Sequence, residues 1–184
     1  MYQDFAINPS PAYANATIQG SNLNQQALQA ERNGDLQLAE RLHLQAIAVK
    51  ESGLGRNAVS TALSRNALGE LYIKMGRLDE AEDNLKKAIA VRNHAGPAFD
   101  AAVSRDNLAQ LYELRGNFKA AKDIRLSGAP ENMSCGFYHC PGQLFRLNQL
   151  LRCSQCKSVW YCSKSCQNGD WRARHKKLCR AVAE

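Results

Sequence analysis

All seven cysteines of the chain fall within its last fifty residues, in pairs whose spacing suits metal ligation. They read Cys135-x4-Cys140, Cys153-x2-Cys156 and Cys162-x3-Cys166, and His175-x3-Cys179 closes the series. Eight soft donors in four pairs match two tetrahedral Zn²⁺ ions with none left over. A segment this short cannot build a large apolar core, so its folding energy has to come from the metal. The same arithmetic restricts function. A site filled by four thiolates, or by three thiolates and an imidazole, keeps no open position for a substrate.

Composition divides the chain of 184 residues in two. Residues 1–130 lack cysteine and are nearly neutral, with 15 Lys/Arg against 14 Asp/Glu; residues 131–184 carry 9 against 3. The formal charge of +7 counts thiols as neutral. Seven metal-bound thiolates and two Zn²⁺ change it by −7 + 4, to about +4, so the chain is not a polycation. Met1 to Gly20 has Asp4, two prolines and no apolar run of signal-sequence length. No stretch approaches the roughly 18 apolar residues of a membrane span, so no membrane partner is expected. Clustered cysteines without a secretory leader predict a reducing compartment, cytosol or nucleus, and metal ligands rather than disulfides.

Residues 1–20 lack periodicity and are expected to be a disordered leader. From about Ser21 to residue 128 a repeat is visible. Gly34, Gly76 and Gly116 each sit between two amphipathic runs, 42 and 40 residues apart. Ala46-Ile47-Ala48-Val49-Lys50 recurs as Ala88-Ile89-Ala90-Val91-Arg92, and the run from Ser64 to Tyr72 recurs from Ser104 to Tyr112. In the second unit Leu68, Gly69 and Tyr72 precede the turn glycine, and Ala81, Leu85 and Ala88 follow it. That is helical spacing on two successive helices, with small residues where their backbones cross. The pattern resembles the tetratricopeptide repeat in its long, kinesin-light-chain form. Mainly α structure is therefore expected, a solenoid of about three repeats followed by the small two-zinc segment. The first copy is weaker: Ala30 replaces the tyrosine and His43 a large apolar residue. In the third, Arg125 and Gly128 stand where Leu85 and Ala88 stand in the second, so its second helix should be short, about 118–127, and end the stack. Residues 129–134 read as a junction, 135–179 as the metal-binding unit and 180–184 as a tail.

The run Tyr161-Cys162-Ser-x-x-Cys166-Gln167, then Asp170-Trp171 and His175-x3-Cys179, looks like a MYND-type zinc finger. Spacing alone leaves open whether the four pairs serve the ions in sequence or alternately. The resemblance implies alternation: Cys135, Cys140, Cys162 and Cys166 on the first zinc, Cys153, Cys156, His175 and Cys179 on the second. Fingers similar to this one bind short proline-containing peptides, and Ser154, Gln167 and Trp171 match the positions that make those contacts. A hydroxyl, an amide and an indole face suit an extended proline-rich segment, though Trp171 also stands one turn before His175 and can instead cover the metal site. Two departures stand out. The first pair is Cys-x4-Cys rather than Cys-x2-Cys, with His139 beside Cys140 as a competing donor. The step from Trp171 to His175 is one residue longer than is common, which should shift the helix start and leave the ligands in place.

Resemblance to other tetratricopeptide repeats puts Asn66, Glu70, Asp106, Gln110 and Glu113 on the inner groove, a polar and acidic set suited to a basic or polar peptide or left solvated. Charge complementarity raises a third use: the basic helix of the finger docking near that groove. Arg172, Arg174, Lys176, Lys177 and Arg180 on that helix give a competing reading, contact with nucleic acid phosphates. They are spread around the helix without interleaved aromatics, which favours a solvated face. No phosphate-binding glycine loop and no nucleophile–base constellation is present. The expectation is a non-catalytic adaptor holding two structural zinc ions, with protein partners recognised through proline-containing peptides.

Overall fold

The computed structural model describes residues 10–181. Six helices form three antiparallel hairpins: α1 (Pro11–Arg32) with α2 (Leu36–Leu54), α3 (Val59–Lys74) with α4 (Leu78–Arg92), and α5 (Ala98–Leu114) with α6 (Phe118–Leu126). Each hairpin turns at its glycine. Gly34, Gly76 and Gly116 adopt φ of 82°, 75° and 72°, a region closed to most side chains. The residue after each glycine donates back five positions, Asp35 to Ala30 O, Arg77 to Tyr72 O and Asn117 to Tyr112 O, at 2.8–3.0 Å. This is the Schellman closure, and it satisfies the last carbonyls of the first helix of each pair. Asp35 and Asn117 then cap the second helix through Leu38 N and Ala120 N.

Small residues let the helices approach. A Cβ added at Gly69 would lie 2.6 Å from Leu85 Cγ, so glycine is required where α3 crosses α4. Leu68, Tyr72, Ala81, Leu85 and Ala88 are buried, as the helical spacing requires. Neighbouring hairpins are joined by tyrosines at matching places: Tyr72 donates to Glu40 at 3.0 Å and Tyr112 to Glu82 at 2.9 Å. His43 is wholly buried between Asn24 Oδ1 at 3.1 Å and Glu31 Oε1 at 3.3 Å, a packing histidine.

The expected disordered leader requires correction. Ser10 caps Tyr13 N at 3.3 Å, Pro11 occupies the first turn, and α1 is helical from there. Ala16 and Gly20 are buried, and Gly53 of α2 leaves no room for a Cβ against Ala16. Tight packing along α2, rather than local periodicity, extends the helix by ten residues beyond Ser21. Residues 1–9 and 182–184 lie outside the described residues.

After α6 the chain makes a bridge between Met133 and Phe145, a single helical turn at Leu147–Gln149, and a short ribbon, β1 (Leu151–Arg152) against β2 (Trp160–Tyr161). Helix α7 (Lys164–Asp170) follows, capped by Ser163 on Cys166 N at 3.2 Å. A π-turn over Trp171–His175 and α8 (Lys176–Leu178) complete the unit. The π-turn accounts for the long Trp171-to-His175 step: the extra residue widens one turn instead of rotating His175 away from its partners. No described helix is long and apolar enough to cross a membrane.

Candidate functional site

The eight donor atoms gather into two sets, each with its atoms within 4.8 Å of one another. One holds Cys135, Cys140, Cys162 and Cys166; the other holds Cys153, Cys156, His175 and Cys179. In the first, Cys162 Sγ lies 3.6 Å from Cys140 Sγ and 3.5 Å from Cys166 Sγ. In the second, Cys153 Sγ is 3.8 Å from Cys179 Sγ, and His175 Nε2 is 3.4 and 3.5 Å from the sulfurs of Cys153 and Cys156. Tetrahedral ligation with Zn–S of about 2.3 Å and Zn–N of about 2.0–2.1 Å requires edges of about 3.8 Å between sulfurs and about 3.6 Å from sulfur to nitrogen. The sets fit zinc, and the sulfurs are far beyond the roughly 2.05 Å of a disulfide. His139 belongs to neither set; its ring lies edge-on to Phe137 and Tyr138, 5.5 and 5.3 Å away.

Local folding explains each aim. Cys153 N donates to Val159 O at 2.9 Å and Lys157 N to Cys153 O at 3.1 Å, with Lys157 at φ 56°, so the chain between Cys153 and Cys156 forms a tight knuckle. The looser first pair is held by Gly136 N to Trp160 O at 2.8 Å and Cys140 N to Phe137 O at 2.9 Å. Behind the knuckles Tyr161, wholly buried, donates to Asp170 Oδ2 at 2.7 Å. Burial and the adjacent Asp170 carboxylate keep that phenol protonated.

The finger is built onto the third hairpin. Phe118, the first residue of α6, packs in one apolar cluster with Cys153, Cys156, Val159, Tyr161, Cys166 and Cys179. Arg125 is buried and reaches three groups: Asp106 Oδ1 at 2.6 Å, the Glu113 carboxylate, and Ser158 O in the finger at 2.8 Å. Glu113 also accepts from Arg174 Nη1 at 2.6 Å, and its Oε2 lies 3.9 Å from His175 Nδ1, a buried nitrogen with no hydrogen-bond partner among the described residues. Burial pushes the Glu113 carboxyl up, but Arg125, His175 and Arg174 outweigh that and hold it well below the usual carboxylate range.

This corrects the groove assignment. Glu113 is wholly buried between Arg125 and Arg174 of the docked finger and does not face a groove, whereas Asp106, paired with Arg125 through one oxygen, accepts from Gln110 at 2.9 Å through the other and lines the cleft beside it. Asn66 is also buried and donates to Glu70 at 2.6 Å, as does Asn107 from the next hairpin. Glu70 and Gln110, half-buried, line a narrow cleft of about 120 Å³ shared with Phe99, Phe137 and Tyr138 of stack and finger. Arg125, Phe118 and Ser158 were not among the expected functional residues. The signal for Arg125 was an arginine at a position that is leucine one repeat earlier.

The three residues expected to meet a peptide lie on the finger's outside. Ser154 is exposed, Gln167 half-buried and 3.3 Å from Lys164 Nζ, and Trp171 is 36 % exposed with its ring 5.9 Å from that of His175. Of the basic helix, Arg174 is committed to Glu113 and to Asp170 at 2.8 Å, whereas Arg172, Lys176, Lys177 and Arg180 are exposed.

A MYND finger model matches residues 134–179, and a tetratricopeptide repeat model matches residues 19–94. Among curated proteins, histone-lysine N-methyltransferase ASHR1 of Arabidopsis thaliana is 44 % identical over 43 residues, 23 % of this chain and 8 % of that protein. F-box protein At1g67340 of Arabidopsis thaliana is 33 % identical over 86 residues, 47 % of this chain and 21 % of the other. Tudor domain-containing protein 1 of Mus musculus is 53 % identical over 34 residues, 18 % and 3 % of the two chains. The chain thus spans about a fifth or less of these relatives. Two solved structures share the helical fold. BtubC from P. vanneervenii has a TM-score of 0.55 at 22 % identity, covering 57 % of this chain and 43 % of its own. A Podosopora anserina putative kinesin light chain with TPR-like repeats has 0.53 at 22 %, covering 59 % and 52 %. The chain therefore carries a MYND finger at residues 134–179, with two ligand sets that fit zinc, on the end of a helical stack whose first two hairpins match the tetratricopeptide repeat.

Proposed function

We propose that this chain is a non-catalytic adaptor in which the finger captures proline-containing peptides and the stack fixes where that capture takes place. The observation that carries the reading is Trp171, the large aromatic left exposed beside the second ligand set while all four donors of that set are buried. Cys153, Cys156, His175 and Cys179 would hold one zinc and Cys135, Cys140, Cys162 and Cys166 the other. The ions supply folding energy and no reaction, because four protein donors complete each sphere. An indole wall, the Gln167 amide and the Ser154 hydroxyl suit a segment whose rings need a flat apolar surface and whose carbonyls need donors.

The cleft between Glu70, Gln110, Phe99, Phe137 and Tyr138 offers a second seat, for a basic or polar peptide. Seven cysteines gathered as metal ligands rather than disulfides suit a reducing compartment, nucleus or cytosol. The nucleic acid reading is weakened because Arg174 is spent on Glu113, which leaves Arg172, Lys176, Lys177 and Arg180 without an aromatic among them.

The test is capture of a proline-containing peptide array by wild type and Trp171→Ala, with zinc content measured on both. Loss of capture at unchanged zinc supports the reading; full retention by Trp171→Ala overturns it. A steep salt dependence of RNA binding, abolished by neutralising Arg172 and Lys176, would favour the alternative.

A further inference from the structure

The two junctions of the stack use matching residues but not matching charges. At the first, Lys50 Nζ donates to Ser60 O at 3.2 Å and Ser64 Oγ at 2.9 Å, and Arg65 is ion-paired with Glu51. At the second, Arg92 replaces Lys50 and donates to Asp100 O at 3.2 Å and Ser104 Oγ at 2.6 Å. Arg105 replaces Arg65, but Asn93 stands in the place of Glu51. Among the described residues Arg105 therefore bonds neutral oxygens alone, Asn93 Oδ1 at 2.7 Å and Asn132 O at 2.8 Å.

Both guanidinium groups are buried, 4 % and 5 % exposed by residue, and among the described residues neither makes an ion pair. Arg92 Nε is a buried donor with no hydrogen-bond partner among the described residues. Two enclosed cations without a counter-charge are costly, because the lost hydration is only partly replaced by carbonyl dipoles. Burial pushes both guanidinium pKa values down; Asp100, in the first turn of α5, and Glu70 oppose this at Arg92 electrostatically without an ion pair.

Both arginines line a cavity of about 260 Å³, together with Asn93, Gly96, Ala98 and Asn132. It opens at the start of α5, where the chain turns through Gly96 at φ 85° and no side chain caps the first amides. Uncapped helix amides carry partial positive charge and point at whatever sits there. The site thus combines two fixed cations, an orphaned donor and a helix N-terminus, while the matching junction one repeat earlier leaves only Lys50 on neutral oxygens and pairs its arginine, Arg65, with Glu51.

We propose that the junction between the second and third repeats binds a phosphate-type oxyanion, with Arg92 and Arg105 supplying the charge and the first turn of α5 the remaining donors. A tetrahedral oxyanion has enough acceptors to serve all of them, which a single carboxylate has not. The phosphate is either free or carried on a modified peptide.

The test uses the full zinc-loaded chain and its thermal midpoint as inorganic phosphate replaces chloride at constant ionic strength. The expected result is a saturable rise of several degrees in wild type. Asn93→Glu, which installs the acid of the first junction, raises the phosphate-free midpoint and loses the phosphate increment. Arg105→Gln loses the increment without that gain. Zinc measured in every sample separates the effect from the metal centres. O-phosphoserine and phosphate stabilising equally would point to a modified peptide as the source, and phosphate alone to the free ion. No rise above chloride, an equal rise with acetate, or an unchanged increment in Asn93→Glu would each overturn the proposal. Trp171→Ala leaves this readout untouched, so its outcome is independent of peptide capture.

Discussion

The second and third hairpins have the same glycine turn and the same tyrosine, yet they bury different chemistry. In the second, Leu85 on α4 closes an apolar core with Leu68 and Leu71, and Ala88 is buried one turn on. In the third, the matching positions are Arg125 and Gly128. Arg125 takes hold of Asp106, Glu113 and the finger's Ser158 O, while an added Cβ at Gly128 would collide with Asn132 O and with Arg105. The third hairpin has exchanged part of its core for an attachment. What looks in the alignment of repeats like decay at the end of a solenoid is the surface that receives the finger.

The broadest way to break this comparison is to remove zinc. Structural zinc contributes on the order of 10 kcal/mol or more to folding a small finger. Chelation should unfold residues 135–179 and, through Phe118 and Arg125, loosen α6 as well. Amide hydrogen exchange should then rise in α5 and α6 and stay unchanged in α3 and α4. Unchanged protection of α6 would show that the hairpin stands alone.

Arg125→Leu, which copies the second hairpin into the third, should cost about 3–5 kcal/mol in urea unfolding, because it leaves Glu113 and Asp106 without their buried partner. Leu85→Ala in the second hairpin should cost about 2–5 kcal/mol through a cavity, and its zinc content should not change. A milder loss for Arg125→Leu than for Leu85→Ala would reverse the reading of the two hairpins. Glu113→Gln keeps the shape but removes the charge facing Arg125, Arg174 and His175. Carboxylates hydrogen-bonded to a ligating histidine typically change metal affinity about 10–100-fold, and Glu113, 3.9 Å from His175 Nδ1, faces the ligand without that bond, so a smaller loss is expected. Competition with a chelator should therefore show weaker binding of one zinc of the two.

The smallest effect concerns the tie between the hairpins at Glu82. Burial pushes its carboxyl up, but Lys86, Tyr112 and Arg115 outweigh that and bring it to about 2. A carboxylate whose folded value lies below its unfolded one stabilises above the unfolded value, near 4.3, and loses this as pH falls toward 2. Urea unfolding of Glu82→Gln should match wild type more closely at pH 3 than at pH 7. An equal gap at both would rule out this charge as the source.

Much of this was readable from sequence because the information was local. Gly34, Gly76 and Gly116 identify turns by their own backbone preference, and helical spacing of Leu68, Tyr72, Ala81 and Leu85 identifies the buried face. Glu113 was misread for the opposite reason. On a helix it occupies a groove position, and nothing near it in sequence says that residue 174 will arrive 61 positions later. The helix start at Pro11 was missed because its support comes from Ala16 and Gly20 packing on α2, not from any pattern within residues 1–20.

By itself the sequence determined the chemistry of each part: eight soft donors that fit two zinc ions, and helical repeats joined at glycine turns. Ligand type and helix periodicity depend on residues within a few positions of one another, so a linear reading captures them. Only the tertiary structure decided how the parts meet. It buried Glu113 between Arg125 and Arg174, set Phe118 against the cysteine knuckles, and left Arg92 and Arg105 enclosed without an ion pair among the described residues. Those outcomes depend on which charges and surfaces lose water together, and that is settled when distant segments pack.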